Sequence, residues 1–313
     1  MKPKNSFFSL LMVLVSAFLA VIPAFAEDTG ISTGFDAGYR VDNLRWNIAG
    51  NIEGASPNIL SELTWKDLKI FQTGVHTKIN LDSNIFFQGS AGIGIITSGK
   101  NQDSDYHGDN RTLEFSRSNN SSNGDYVGDI SLAVGINTLT GGMFQISPLF
   151  GYAYNWQNVR MTHGYQTIDT ENDYHGPIPG LNSTYKTKWQ GPWLGVSLKG
   201  DLSPAWTLFG NMEYHLVSYY GVGNWNLRTG VNGFEHPVSF EHSADGDGRA
   251  YSVGLAFSPT DQTHFTLKYC YSLWSTDEGT DTTYFNNGTY GVTRFNEAVW
   301  ESRAVIFSYV QSF

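Results

Sequence analysis

The sequence is short of four things. It holds a single cysteine, Cys270, among 313 residues, so no intramolecular disulfide can brace the fold. Charged residues are only 15% of the chain, and acids outnumber bases 29 to 19 for a net charge of −10. That balance lacks the basic footprint of a nucleic-acid binder. Beyond residue 26, no run reaches the ~18 consecutive apolar residues of a membrane-crossing helix. This excludes a helical inner-membrane protein but not a barrel, whose strands are only half apolar. The segments of helical period that a soluble α/β protein would show are also missing.

What is present is aromatic (15%), glycine-rich (34 residues) and periodic. The first 26 residues read as a secretory signal peptide. Lys2 and Lys4 form the basic start, residues 7–22 are apolar, and Ala24 and Ala26 supply the small residues of a cleavage site. Cleavage would leave residues 27–313 as the mature protein, two charges more acidic.

Residues 84–96 set the pattern for the rest. Ile85, Phe87, Ala91, Ile93 and Ile95 fall on one side of an extended chain; Gln88, Ser90, Gly92 and Gly94 fall on the other. A period of two with one apolar and one small or polar face predicts a strand. The same alternation recurs at 33–51, 60–80, 127–137, from Phe144, 185–200, 206–220, from Tyr251, from His264, and at 298–313. Long polar stretches at 98–125, 158–182 and 221–247, and another before residue 298, separate these segments. They alternate with short turns such as 81–84, 138–141, 201–204 and 258–261. Ten long strands, joined alternately by short turns and long loops, predict an all-β fold. It is a ten-stranded antiparallel transmembrane β-barrel with long extracellular loops and short periplasmic turns. Closure satisfies every backbone group in lipid and leaves no sheet edge. The abundant Tyr, Trp and Phe suit girdles at the two lipid–water boundaries. A lumen of ten strands is narrow and side-chain-filled, so any pore would be tight. Asp129, Glu213, His215, Lys268 and Cys270 are expected to face inward.

Three stretches resemble the omptins, the ten-stranded outer-membrane proteases of Gram-negative bacteria. They are Ser61-Glu-Leu-Thr-Trp65, the 84–96 strand followed by Asp103-Ser-Asp105, and Tyr185-Lys-Thr-Lys-Trp-Gln-Gly-Pro-Trp193. The resemblance implies that Asp103 and Asp105 match the first acidic pair of an omptin site, where carboxylates position and deprotonate water. The second pair, an Asp-x-His in omptins, is not matched: the equivalent positions carry Asn224 and Asn226. Asparagine can neither accept the proton nor orient a base. Glu235-His236 and Glu241-His242, in the same expected loop, are the alternative sources of a base. On its own chemistry, Asp103-Ser-Asp105 also reads as a solvated surface turn, as does Asp245-Gly-Asp247-Gly248. Lys188 stands where omptins carry a basic lipopolysaccharide-binding residue.

The expected protein is a non-catalytic surface barrel, a binding or adhesion protein or a narrow porin. The alternative is an omptin-like endopeptidase working through Asp103 and Asp105. No cofactor or metal is expected. The expected partners are outer-membrane lipid, including lipopolysaccharide, and an extracellular protein or peptide.

Overall fold

The computed structural model describes residues 30–81, 84–140, 144–231 and 233–313, so the expected signal peptide lies outside the described residues. Thirteen strands follow in chain order: β1 Gly30–Ile48, β2 Ser61–Asn80, β3 Ile85–Gly108, β4 Thr112–Ser121, β5 Tyr126–Ile136, β6 Thr138–Thr140, β7 Phe144–Asp169, β8 Gly176–Ser203, β9 Trp206–Asn224, β10 Phe240–Phe257, β11 Thr263–Thr276, β12 Gly279–Tyr284 and β13 Tyr290–Ser312. Ten of them form an antiparallel ring, β1-β2-β3-β5-β7-β8-β9-β10-β11-β13. It is closed by β1 on β13 from Ser32↔Ser312 to Ile48↔Phe295. This is the predicted ten-stranded barrel. The short strands are additions: β6 pairs with β7, β4 inserts between β3 and β7, and β12 inserts between β10 and β13.

Alternation decides which side faces lipid. On β3, Ile85, Phe87 and Ile95 are exposed on the outer wall, while Gln88 and Ser90 line the lumen. The same outer band carries Leu132, Phe150, Leu194, Leu216, Leu267 and Phe307, all exposed. In lipid this exposure is burial, because the apolar face is withdrawn from water by acyl chains.

The polar stretches behave differently from expectation. Residues 98–125, 158–182 and 221–247 read as loops, yet β3 continues to Gly108, β7 reaches Asp169, β8 starts at Gly176 and β10 starts at Phe240. Asp245–Gly248 is likewise strand rather than turn, paired with β9 throughout and with β11 from Gly246 onward. Beyond the lipid band both faces of a strand tolerate polar side chains, so alternation disappears although the backbone ladder continues. The result is a polar extension of the barrel above the membrane. The 49–60 connection between β1 and β2 lies at this same end.

The lumen is filled where the membrane-spanning part meets the extension. Trp65, Tyr185, Trp189 and Tyr219 are each at most 2% exposed, and Trp46, Phe240, Trp274, Phe295 and Trp300 join them. Trp189 lies 4.4 Å from Tyr219 and 6.0 Å from Trp300, and Trp300 stacks on Trp274 at 5.4 Å. Tilted and offset rings at these separations each add about 0.5–1.5 kcal/mol to the gain from burial itself. Glycines make the room: a Cβ on Gly221 or Gly223 would stand 2.2 Å from Tyr185 or 2.1 Å from Phe240.

One ion pair is sealed beneath this layer. The Arg40 guanidinium grips Asp42 with both Nε (2.7 Å) and Nη2. Asp42 also accepts from the Gln157 amide at 3.2 Å and the Trp300 indole at 3.0 Å. A buried carboxylate is tolerated when its lone pairs are filled in this way.

Candidate functional site

Asp103 and Asp105 lie on the extracellular extension of β3, half-buried and two residues apart. That spacing puts both on one side of the strand. Register then builds the surroundings. Asp105 sits opposite Ser61 of β2 and Ser116 of β4, and both hydroxyls hydrogen-bond to its carboxylate. Asp103 is hydrogen-bonded by the Trp225 side chain, which reaches in from the connection between β9 and β10. Burial first, then the neighbouring Asp105 carboxylate, push the Asp103 pKa up to about 8; the Arg228 cation opposes this. Burial also raises Asp105, against its two serine donors and Arg228. At neutral pH the pair therefore holds a proton, as close carboxylates in a partly dry site must.

The two carboxylates stand where two cavities meet. One, of about 350 Å³, is also lined by Asp169 and Glu171, with Phe115, Trp225 and Arg228. The other, of about 390 Å³, is walled by Trp46, Phe115, Trp225, Phe234, Phe240 and Phe285. Arg228 borders both, yet it forms no ion pair among the described residues and remains exposed. The connection carrying it is pinned to β12 and its turn: Glu235 N–H donates to Tyr284 O at 2.9 Å, and Asn286 Nδ2 donates to Gly230 O at 2.8 Å.

The remaining candidates sit elsewhere. Asn226 is a clip: its oxygen accepts from Asn182 N–H at 2.8 Å and Ser183 Oγ at 3.1 Å, and its Nδ2 donates to Gly180 O at 2.9 Å. Asn224 Oδ1 lies 2.8 Å from His236 Nδ1. Neither asparagine lines the acidic cleft, and neither does His236. His242 does border the larger cavity, together with Asp281, which the sequence reading missed. The two are register partners on β10 and β12, with His242 Nε2 at 3.1 Å from Asp281 Oδ1 and Nδ1 at 2.7 Å from the Tyr185 hydroxyl. Nδ1 is taken by the Tyr185 hydroxyl, Nε2 faces Asp281 without a hydrogen bond, and the ring is fully buried between Trp46 and Phe295, at 4.6 and 4.3 Å, out of contact with solvent. The pair has no signal in sequence, because its members are 39 residues apart on strands that only the ladder joins. Lys188 is exposed on the outer wall of β8, between Trp156 and Tyr220 in register, with Nζ 5.9 Å from the Tyr220 ring.

Solved structures with similar folds are outer-membrane barrels. The outer membrane protease OmpT from Escherichia coli superposes with a TM-score of 0.73 at 13% identity, covering 91% of this chain and 97% of that one. The translocator domain of the autotransporter NalP from Neisseria meningitidis gives 0.39 at 13% identity, covering 99% and 98%. At such identities the omptin-like resemblance establishes the architecture alone. No curated protein matches by sequence. The family model described as "Protochlamydia outer membrane protein" matches residues 34–313, nearly the whole described barrel. An outer-membrane β-barrel of omptin-like architecture, this chain belongs to the Protochlamydia outer membrane protein family.

Proposed function

We propose that the protein is a surface receptor that binds a cationic group of an extracellular protein or peptide in the cleft around Asp103 and Asp105. One observation carries this reading: a pair of half-buried carboxylates at the junction of two cavities, both also lined by the rings of Phe115 and Trp225. A guanidinium or ammonium entering there gains charge-assisted hydrogen bonds from the acids and cation–π contact from the rings. Against peptide hydrolysis stands the full burial of His242, the histidine bordering the cleft, whose ring is closed in by Trp46 and Phe295. Against a resting pore stands the layer of buried aromatics across the lumen.

The test is a fluorogenic peptide with paired arginines, added to the refolded barrel and followed by anisotropy and by cleavage in the same sample. Binding is expected, without turnover, and Asp105→Asn should weaken it at least ~10-fold, the equivalent of ~1.4 kcal/mol. Turnover abolished by Asp103→Ala would replace this reading with the endopeptidase. Lys188 suits a second, weaker contact, to anionic lipid headgroups at the outer aromatic girdle. Lys188→Ala should cost about 1 kcal/mol of lipopolysaccharide association, measured by retention on lipopolysaccharide-coated beads; unchanged retention would remove Lys188 from the site.

A further inference from the structure

Beneath the aromatic layer the lumen opens into a second chamber of about 530 Å³. Ser32, Thr77, Lys78 and Gln88, near the short-turn end, form its mouth, and Trp274 and Trp300 form its roof. It is thus reached from the periplasmic side and is separate from the extracellular cleft. Its volume falls in the ~300–1,000 Å³ range of small-molecule sites.

The walls hold buried polar atoms without partners. His215 is 3% exposed; its Nε2 lies 3.0 Å from Glu213 Oε2, while its Nδ1 makes no hydrogen bond. Asn155, 9% exposed, leaves its Nδ2 donor unpaired. Arg40 uses Nε and Nη2 on Asp42 and turns Nη1 toward Asp129, whose Oδ1 is 3.9 Å away, beyond hydrogen-bond reach. Lys268, which also flanks the Asp129 carboxylate, forms no ion pair among the described residues. Buried polar groups normally have partners, and one left unmet destabilises the fold.

These groups divide into two kinds. Arg40 Nη1, Asn155 Nδ2 and Lys268 are donors and call for a carboxylate. Asp129 carries acceptor oxygens, and His215 Nδ1 has an open lone pair when Nε2–H donates to Glu213; these call for an ammonium. We propose that the chamber is a binding site for a small zwitterion of the α-amino-acid type, its carboxylate on Arg40, Asn155 and Lys268 and its ammonium on Asp129 and His215. A simple anion would leave Asp129 and His215 Nδ1 unmatched, and a simple cation would leave Lys268 unmatched; a molecule carrying both charges meets both sets.

The experiment is isothermal titration of the refolded barrel in detergent with glycine, and separately with acetate and methylammonium. Glycine is expected to bind saturably and at least ~10-fold more tightly than either half-molecule. Lys268→Met and Asp129→Asn should each weaken glycine at least ~10-fold while the protein keeps its heat-modifiable band. No saturable heat from glycine, or equal binding of acetate, would overturn the proposal and leave the chamber to water. If a variant fails to fold, the wild-type comparison of glycine with its halves still decides.

Discussion

Asp42→Ala is expected to lower the unfolding free energy of the barrel by about 3–5 kcal/mol, the usual penalty for stranding one partner of a buried ion pair. The substitution removes the acceptor for Arg40, Gln157 and Trp300 together, and Arg40 itself is 6% exposed. Asp42→Asn should fall between, since an amide oxygen still accepts but carries no charge. Urea midpoints followed by the shift of the heat-modifiable band measure it, and a loss below ~1 kcal/mol would mean that Arg40 finds another anion. The same region predicts electrical behaviour. Because the rings of Trp189 and Trp300 cross the lumen, the wild-type barrel should be silent in a planar bilayer. Replacing both with alanine should open steps of steady conductance, at a stability cost of about 3–5 kcal/mol for each tryptophan. Steady conductance in the wild type would show that the aromatic layer does not seal the lumen.

The acid pair should make the extracellular end sensitive to pH in a direction opposite to that of an ordinary salt-bridged aspartate. Asp103 titrates near 8 in the fold and near 3.8 in the unfolded chain. Below 3.8 both states are protonated and the site costs nothing. As pH climbs from there, the unfolded chain ionises while the folded pair still holds its proton, so stability falls across the window up to about 8 and then levels off. Asp103→Asn should remove most of that slope and stabilise the fold at pH 8 and above. Cation binding should move the other way in the wild type, tightening through pH 8 as the shared proton leaves. Unfolding measured between pH 4 and 9 in wild type and Asp103→Asn checks the first part. A wild-type profile that rises with pH would sink it.

Which parts of this were legible in sequence follows from where the environment is asymmetric. Between lipid and lumen the two faces of a strand are chemically opposite, so Ile85, Phe87 and Ile95 could be assigned outward partners. Asp129, Glu213, His215 and Lys268 could be assigned to the interior, where they line one chamber. Asp103 and Asp105 were visible through their spacing and the omptin-like resemblance. Above the lipid both faces are polar, the period of two is lost, and β4, β12 and the extended ends of β7 and β8 read as loops. Contacts made only by the ladder were invisible for the same reason. Asp281 gains its meaning from standing opposite His242, and Arg228 from a connection folded back over strands far away in the chain.

That polar extension has a consequence for who can reach the cleft. From Ile95, in the lipid-facing band, to Asp103 the chain rises ~3.3 Å per residue. At the ~40° tilt typical of such barrels, this lifts the carboxylates about 20 Å above the level of Ile95. A ligand at that height is approached from the surrounding medium rather than by lateral diffusion in the leaflet. Under the proposed receptor reading, the barrel wall serves as a mast, and the cleft would sample whatever passes outside the cell rather than the lipids that hold it.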